Sequence, residues 1–398
     1  MLKLIPYKSI HDIESELWDS LVPSSEIYHK HDFIGLLEDI KEEQTDHWYL
    51  LIYRESLLVA TACLSKFRIE LDCLMQYKTS WIKFLRRYFN NFMMVDVLMC
   101  GLPISLGQRN LVIRKGLDSG PILESVVSYM KKIAKSRNIN HLFFKEISEN
   151  ENHIFKILSD HGFIQAFSLP YMEMDVHWDS FEDYVNSLKH HYRRKIKKGL
   201  AKLNIDERNF LFNVKKTGMQ MNSYNSHSAE EFYRGYMAIM QRATTKLETL
   251  PYEFFKLLFK VFQHKMEYLE IKNGNEVLAT ALLIKEGRGL HFMFCGLPQY
   301  KNSMYDPYFN LLYAIVNLAI NSSCKKIFLG QTAYWSKQQI GGYPKQRFIY
   351  YHSNIRIIHH VIHKLKRYIF PQTNLREINI FKSDTPVKEK HSVKMKYV

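Results

Sequence analysis

The chain has 398 residues, of which 46% are apolar and 14% aromatic, so it can bury two cores of ordinary size. Its five cysteines form no Cys-x-x-Cys pair, which argues against a disulfide scaffold or a zinc knuckle and predicts a reducing, cytoplasmic location. The net charge of +15 favours binding to polyanions such as tRNA, an anionic membrane or phosphorylated ligands. The charge alone does not distinguish among these partners. No secretory signal is visible, and the longest apolar run, Leu311–Ile320, is only about half of a membrane span.

The first half of the chain predicts a hairpin, an irregular insert, a strand, a helix and closing strands. Trp48–Tyr53 and Leu57–Leu64 are β-rich on either side of a short turn. Pro121 is suited to the first turn of a helix, because the N–H that it lacks has no intrahelical partner there. The later predicted elements are a helix at Pro121–Arg137, a strand at His141–Phe144, a helix at Glu146–His161 and one or two closing strands at Phe163–Val176.

The second half opens on a strongly basic helix. Ser180 is a predicted N-cap of the capping-box type, and large side chains recur every fourth residue from Tyr184 to Leu200. This spacing predicts one continuous helix with a buried stripe. Around that stripe stand seven cations, with no acid between Asp183 and Asp206: Lys189, Arg193, Arg194, Lys195, Lys197, Lys198 and Lys202.

The rest of the second half predicts a mixed α/β unit and a basic tail. Its elements are helices at Ala229–Arg242, Tyr252–His264 and Tyr308–Asn321, a hairpin at Tyr268–Ile271 and Val277–Ile284, and strands at His291–Cys295, Lys326–Gly330 and Arg347–Ser353. Ile355–Phe370 predicts a basic amphipathic helix that either packs on the second half or lies on a membrane surface, as does Trp81–Asn90. The last stretch, Lys382–Val398, is polar and rich in lysine.

Four features occur in the same order in both halves of the chain. Each half has an apolar Ala-Thr-Ala stretch, then Cys-Gly-Leu-Pro, then a helix, then a β-rich tetrapeptide. The paired segments are Val59–Leu64 and Leu278–Leu283, Cys100–Pro103 and Cys295–Pro298, Pro121–Arg137 and Pro307–Asn321, and His141–Phe144 and Lys326–Leu329. The repeat predicts a duplicated α/β unit, with a ligand held where the two copies meet.

The order hairpin, strand, helix, strand is the core order of the acetyltransferase superfamily called GNAT, and two segments make the resemblance specific. Tyr184-x-x-x-Leu188-x-x-x-Tyr192-Arg193-Arg194-x-Ile196-x-Lys198 and the segment from Phe328 to Gly342, which contains Gly330, Tyr334, Lys337 and Gly341, are similar to motifs of FemAB-like N-acyltransferases. The resemblance implies an α/β (α+β) fold of two tandem GNAT-like domains, each a mixed, mostly antiparallel sheet flanked by helices. We expect the domains at residues 1–176 and 177–354, followed by the amphipathic helix and polar tail at 355–398.

The resemblance also implies an enzyme and its site. GNAT catalysis positions an amine against a thioester, whose carbonyl lies where strands four and five of the fold splay, here Leu290–Gly296 and Lys326–Gln331. The implied catalytic residues are Tyr334, Cys295 and Gln331. Those implied to bind donor or substrate are Arg193, Arg194, Lys198, Tyr305, Tyr308, Lys337, Gly341 and Gly342. Each has a structural alternative: Cys295 as a small buried hydrophobe, Gly341 and Gly342 as a helix C-cap.

The donor is the point at which the chain departs from GNAT enzymes. Their glycine-rich pyrophosphate loop is replaced by Asn302–Tyr308, which has no glycine, so a backbone cradle for coenzyme A is poorly provided. FemAB-like transferases, which use aminoacyl-tRNA, lack that loop as well. We therefore expect either an acyl-CoA or an aminoacyl-tRNA donor, with the sequence favouring a donor other than ordinary acetyl-CoA.

The sequence thus predicts an N-acyltransferase that moves an acyl or aminoacyl group to a small-molecule or lipid-linked amine between the two units. No tightly bound cofactor, metal or DNA partner is implied: His359 and His363 are one turn apart, but no carboxylate or cysteine completes a metal site. The alternative is a non-catalytic GNAT pair that binds polyanions or the inner face of the membrane. An open cleft near Cys295, Gln331 and Tyr334 would favour the enzyme, and a filled one the adaptor.

Overall fold

The computed structural model describes residues 2–40, 45–70, 94–203, 226–243, 249–273, 276–298 and 302–382. Within these ranges, twelve strands form one sheet. The strands are β1 Leu2–Tyr7, β2 Asp46–Arg54, β3 Leu57–Glu70, β4 Met94–Cys100, β5 Leu111–Ile113, β6 His141–Ser148, β7 Ile164–Asp175, β8 Met266–Asn273, β9 Glu276–Glu286, β10 Gly289–Gly296, β11 Lys326–Gly330 and β12 Tyr343–Ser353. The predicted segment Trp81–Asn90, and the tail beyond Lys382, lie outside the described residues.

The α-helices of the described residues cover both faces of this sheet. They are α1 Ser15–Asp19, α2 His31–Asp39, α3 Gly120–Ser136, α4 Asn152–Phe155, α5 Phe181–Ser187, α6 His190–Ala201, α7 Ser226–Arg242, α8 Tyr252–Phe262, α9 Asn302–Tyr305, α10 Pro307–Asn321, α11 Tyr334–Gln338 and α12 Arg356–Ile369. None of the helices in the described ranges combines the length and the apolar character needed to cross a membrane.

The two halves of the chain exchange their closing strands at the centre of the sheet. The strand order is β1-β2-β3-β4-β6-β12-β7-β11-β10-β9-β8, with β5 beside β3. Strand β12, from the second half, pairs antiparallel with β6 of the first half, while β7, from the first half, pairs antiparallel with β11 of the second. Strands β12 and β7 also pair with each other. The predicted closing strands are therefore present, but each completes the other half of the sheet.

Among the described residues, each half has one parallel strand pair that opens at its end. In the first half, β4 and β6 pair in parallel over Val97–Cys100 and His141–Phe144. In the second half, β10 and β11 pair in parallel over Gly289–His291 and Lys326–Phe328, and β10 then bulges between Phe292 and Phe294. The pairing between β10 and β11 ends there, although both strands continue. The two strands therefore separate at the position predicted from the sequence, near Leu290–Gly296 and Lys326–Gln331.

The cores explain why the strand exchange is stable. Helix α3 buries the predicted stripe Ile122, Val126 and Met130 on the first half of the sheet, and α10 packs with α5 and α6 on the second half. A further core joins the halves, because α2 packs against α8 with the rings of Phe33 and Phe262 6.1 Å apart. Full burial of such side chains is worth about 1.5–3 kcal/mol each relative to exposure.

The predicted continuous helix from Ser180 to Lys202 is broken. Ser180 does cap a helix, with its Oγ accepting a hydrogen bond from the Asp183 amide at 3.0 Å, but α5 ends at Ser187 and α6 begins at His190. Leu188 between them has extended backbone and forms a β-bridge with Phe381. The spacing of large side chains runs through this break, since Tyr184, Leu188 and Leu200 all face the same core. The C-terminal segment is what separates the helices.

The predicted helix at Glu146–His161 is also wrong at its start. Strand β6 continues through Ser148, because Ile147 and Ser148 pair with Phe348 and Arg347 of β12. Helical structure is limited to α4 and one turn of 3₁₀ helix at Lys156–Ser159. The error matters for function, because it changes the position of Glu146.

Candidate active site

The loop between β11 and α11 is held in an unusual backbone conformation. Gly330, Thr332 and Ala333 have positive φ angles of 76°, 60° and 48°. Left-handed backbone costs a residue with a side chain on the order of 1–2 kcal/mol, and strain of this kind concentrates at functional sites. The loop lies at the open end of the β10–β11 pair, so it positions Gln331 and Tyr334 beside the splay.

Lys337 of α11 is a buried amine whose side chain hydrogen-bonds to the backbone of the loop before the helix. Its side chain is only 3% exposed, and its Nζ donates a hydrogen bond to the backbone oxygen of Gln331 at 2.6 Å. Burial lowers the pKa of Lys337 to about 7, because the charged amine is removed from water, and nearby Cys295 only partly opposes the shift. An amine with this pKa is present in both the charged and the neutral form near neutral pH, as an acid–base catalyst needs.

Gln331 links Lys337 to a carboxylate from the other half of the chain. Its Nε2 donates to Glu146 Oε2 at 3.0 Å and to the backbone oxygen of Leu169 at 3.1 Å. Glu146 lies in β6, is 5% exposed and has a φ of 60°. Within the described part of the chain, no cation forms an ion pair with Glu146. The chain Glu146–Gln331–Lys337 therefore crosses between the two halves of the sheet.

Sequence reasoning missed Glu146, although the internal repeat contains the signal. His141–Phe144 is the repeat partner of Lys326–Leu329, and the second residue after each tetrapeptide is Glu146 in one copy and Gln331 in the other. The two side chains are therefore related by the duplication and hydrogen-bond to each other across it. Assigning Glu146 to a helix hid this correspondence.

Tyr334 and Cys295, the other two predicted catalytic residues, lie in the same region and are both neutral. Burial raises the pKa of Tyr334 to about 12, an effect that the backbone amide of Thr332 partly opposes. Burial likewise raises the pKa of the Cys295 thiol to about 11, with Lys337 opposing the shift. A thiol of this kind is a poor nucleophile at neutral pH. Tyr334 keeps its proton and can donate a hydrogen bond.

A small pocket of about 20 Å³, room for little more than one water molecule, lies at the splay of the first half, and Glu146 is part of its lining. Its polar lining comprises Arg109, Asn110, Lys145, Glu146 and Glu151. Arg109 Nε lies 3.0 Å from Glu151 Oε1 and 3.4 Å from Glu26 Oε1. Burial raises the pKa of Glu26, although Arg109 favours its charged form. The Lys145 amine is bound to the Ile104 carbonyl at 2.7 Å. The charged lining therefore balances two cations against two carboxylates, and Glu151 is already paired with Arg109.

The predicted basic helix packs as α6 and points its cations outward. Ile196 and Leu200 are buried in the core, and Gly199 allows close packing on α10, whose Asn310 donates to the Gly199 carbonyl at 2.9 Å. Arg194 and Lys198 are exposed, and Arg193 is half-buried. These three cations flank the site and are not brought into contact with Gln331 or Lys337.

Helix α6 is fixed to the two elements that border the site through its middle and its C-terminal end. Lys195 Nζ donates to Gln339 Oε1, next to α11, at 2.9 Å. Lys202 Nζ donates to Asp306 Oδ2, at the start of α10, at 2.6 Å. The exposed cations of α6 therefore form a strip that runs from α11 to the beginning of α10.

The start of α10 places a carboxylate where a GNAT enzyme would bind pyrophosphate. Asp306, with a φ of 45°, is the N-cap residue. The positive end of the helix dipole thus lies beside an acid, which disfavours a second anion there. Tyr305 accepts a hydrogen bond from Asn273 Nδ2 at 3.0 Å. Tyr308 is half-buried close to Cys295, and burial raises its pKa strongly.

Close packing explains why residues 341 and 342 are both glycine. Gly341 has a φ of 103°, and a Cβ atom there would lie 2.6 Å from the ring of Phe381. A Cβ on Gly342 would lie 2.8 Å from the backbone oxygen of Lys337, to which the Gly342 amide donates at 2.9 Å. The pair closes α11 and holds Lys337 in place, as expected of a helix C-cap.

Comparison with known proteins agrees with this architecture. Among solved structures, the chain is similar to FemX, with a TM-score of 0.53, 11% identity and coverage of 88% of this chain and 98% of FemX. It also matches a tandem GNAT protein from the clavulanic acid biosynthesis pathway (TM-score 0.49, 8% identity, 89% and 98% covered) and L-PGS from Bacillus licheniformis (0.42, 10%, 85% and 91%). The curated protein sequences gave no match.

The tandem GNAT architecture predicted from the sequence is confirmed by the sheet topology and by the likeness to FemX. The model of the FemAB-like family, described as peptidoglycan biosynthesis/recognition, matches residues 9–352. This match covers most of the chain and includes both repeat units together with the loop of Gln331. The protein therefore belongs to the FemAB-like family.

Proposed function

We propose that this protein is an N-acyltransferase that forms an amide between an acceptor amine and an acyl or aminoacyl group. The hydrogen-bonded chain Glu146–Gln331–Lys337 carries the proposal. It joins a buried carboxylate, which can accept a proton, to a buried amine with a pKa of about 7, which can donate one. The two groups come from opposite halves of the sheet, so an acceptor and a donor can approach from different sides.

The acceptor enters through the pocket of the first half in this proposal. Its ammonium group is attracted by the carboxylate of Glu146 and loses a proton to it. The free amine then attacks the carbonyl carbon of the donor, and a C–N bond forms. Membership of a family described by peptidoglycan biosynthesis/recognition favours an amine of a peptidoglycan precursor, free or lipid-linked, as acceptor.

Lys337 and Tyr334 act on the donor side. When charged, Lys337 has two N–H groups besides the one bound to the Gln331 carbonyl, and these stabilise the oxyanion of the tetrahedral intermediate. When that intermediate collapses, the bond to the leaving group breaks, Lys337 supplies the proton that the leaving group takes up, and the new amide nitrogen releases its second proton to water. Tyr334, which keeps its own proton, is a second donor to the oxyanion. Exchange with solvent returns Glu146 and Lys337 to their starting states.

The surroundings of the site favour aminoacyl-tRNA over coenzyme A as donor. Asp306 lies where a pyrophosphate would bind, whereas the exposed cations of α6 flank the site as a strip suited to a phosphate backbone. Trp335, directly after Tyr334, is 58% exposed, with Phe309 at its edge and the Lys195 amine 5.6 Å from its ring. An exposed indole beside cations is suited to stack on an unpaired base.

The test is amide formation by the purified protein with two donor classes. The protein is incubated with a peptidoglycan-precursor peptide bearing a free side-chain amine, and with either radiolabelled aminoacyl-tRNA or labelled acyl-CoA. We expect ribonuclease-resistant label in the peptide with aminoacyl-tRNA. Transfer from acyl-CoA alone would overturn the donor assignment. No transfer from either donor, with tRNA still bound, would favour the polyanion-binding adaptor.

Matched variants decide whether the named residues carry the reaction. Lys337→Met keeps the side-chain length and removes the proton donor, and Lys135→Met on the exposed face of α3 is its control. We expect loss of about 10²–10³-fold in kcat for the first, as for removal of an oxyanion donor, and none for the second. Equal activity of both variants would refute the role of Lys337.

A further inference from the structure

Helix α12 exposes an apolar stripe although it is attached to the fold. Ile362 and Ile369 pack against the cluster formed by Phe143, Tyr351 and Phe370 beneath the sheet. The Ser353 amide donates to His359 Nδ1 at 3.3 Å, which fixes the first turn. On the adjoining face, four large apolar side chains are 45–78% exposed: Ile357, Val361, Leu365 and Tyr368. They recur at helical spacing, so they form one line along the helix.

The same helix carries a row of cations next to that stripe. Arg356, Lys364 and Arg367 are exposed, together with His360 and His363. At 100° per residue, this basic arc adjoins the apolar stripe on the side away from Ile362 and Ile369. The sequence has no acidic residue between Asp306 and Glu377. The helix therefore presents an apolar and a basic surface side by side to the solvent.

None of the residues of helix α12 takes part in the Glu146–Gln331–Lys337 chain. An apolar stripe flanked by cations matches the boundary of a bilayer with anionic headgroups, where the stripe enters the acyl region and the cations remain with the phosphates. A protein partner would have to supply both an apolar groove and an acidic rim, whereas an anionic bilayer supplies both without further specificity.

We propose that α12 docks the protein on an anionic membrane surface, with Ile357, Val361, Leu365 and Tyr368 inserted and Arg356, Lys364 and Arg367 against the headgroups. The helix lies in the plane of the interface, held by its packed face to the underside of β12 and β7. Docking combines electrostatic attraction between the cations and the headgroups with burial of the apolar stripe in the bilayer. It therefore requires both surfaces of the helix.

The test is co-sedimentation of the full-length protein with vesicles of phosphatidylcholine alone or with 30% phosphatidylglycerol. We expect binding to the anionic vesicles that weakens in high salt, and little binding to neutral ones. Lys364→Glu/Arg367→Glu removes two attractions of about five-fold each and adds repulsion, so it should weaken binding by 25-fold or more. Lys132→Glu/Lys135→Glu, on exposed α3, is the charge-matched control and should stay within about three-fold of the wild type because the net charge alone changes.

Ile357→Ser/Tyr368→Ser tests the apolar stripe without changing charge. It should weaken binding at least ten-fold, whereas Leu57→Ser/Val261→Ser, at two other exposed apolar positions, should not. Thermal unfolding of each variant verifies that the fold is intact. The proposal is overturned if the α12 variants bind vesicles as tightly as their controls, or if the wild-type protein does not bind anionic vesicles. It is also overturned if light scattering shows a dimer that the α12 variants abolish, since a second copy would then cover the stripe.

Discussion

The buried amine of Lys337 makes a prediction about stability that does not depend on any substrate. Burial lowers its pKa from 10.5 to about 7, a shift worth about 5 kcal/mol at about 1.4 kcal/mol per pKa unit. At a pH between these two pKa values, the Lys337 amine is protonated in the unfolded chain and neutral in the folded protein. The contribution of Lys337 to the free energy of unfolding therefore rises with pH between about 7 and 10.5. Below pH 7 the folded state is destabilised by the full amount.

The Lys337→Met variant removes this dependence and fills a similar volume. We expect the variant to be more stable than the wild type at pH 7.5, and its advantage to shrink by about 1.3 kcal/mol for each pH unit up to 9.5. For 398 residues this corresponds to roughly 1.5 °C in the difference of melting temperatures per pH unit. Scanning calorimetry of both proteins across this range measures it. A difference that stays constant with pH would show that Lys337 titrates normally and would refute the acid–base role argued from its burial.

Three further predictions concern the site and the strand exchange. Glu146→Gln keeps the hydrogen bond to Gln331 but removes the base, so kcat for amide formation should fall about 10²–10⁴-fold, while Glu149→Gln on the exposed neighbouring turn should be inert. Gly107→Ala should cost about 2–4 kcal/mol, measured by urea unfolding, because φ is +73° and the new Cβ would clash with the Tyr171 ring; an unchanged midpoint would contradict this. Fragments divided after residue 176 should unfold non-cooperatively alone and recover a cooperative transition when mixed, since β7 and β12 pair across the division.

Much of the fold was predictable because it rests on local patterns. The buried stripe of α3, the N-cap of Ser180 and the hairpin of β8 and β9 follow from side-chain periodicity and turn chemistry, and the structure has all three. The break at Leu188 was not predictable in this way. Its side chain keeps the four-residue spacing, and the interruption comes from a bridge to Phe381, nearly two hundred residues away.

The candidate site was half predictable for a related reason. Gln331, Tyr334 and Lys337 share one short motif, so a local resemblance found them together. Glu146 has no motif of its own and reaches Gln331 only through the exchange of β7 and β12, a long-range pairing. Similarly, nothing in the sequence shows that Gly341 is constrained by the ring of Phe381 and not by a ligand.

The exchange of closing strands gives a physical reason for the asymmetry of the site. Duplication produces two equivalent side chains, Glu146 within β6 and Gln331 directly after β11, and the exchanged strands β12 and β7 bring them together. Two carboxylates at this point would repel each other inside the protein, and one would be driven to its neutral form. An amide opposite a carboxylate satisfies both groups and leaves Glu146 able to accept a proton. The same amide residue presents its backbone oxygen to Lys337, so one position orients both the acid and the base.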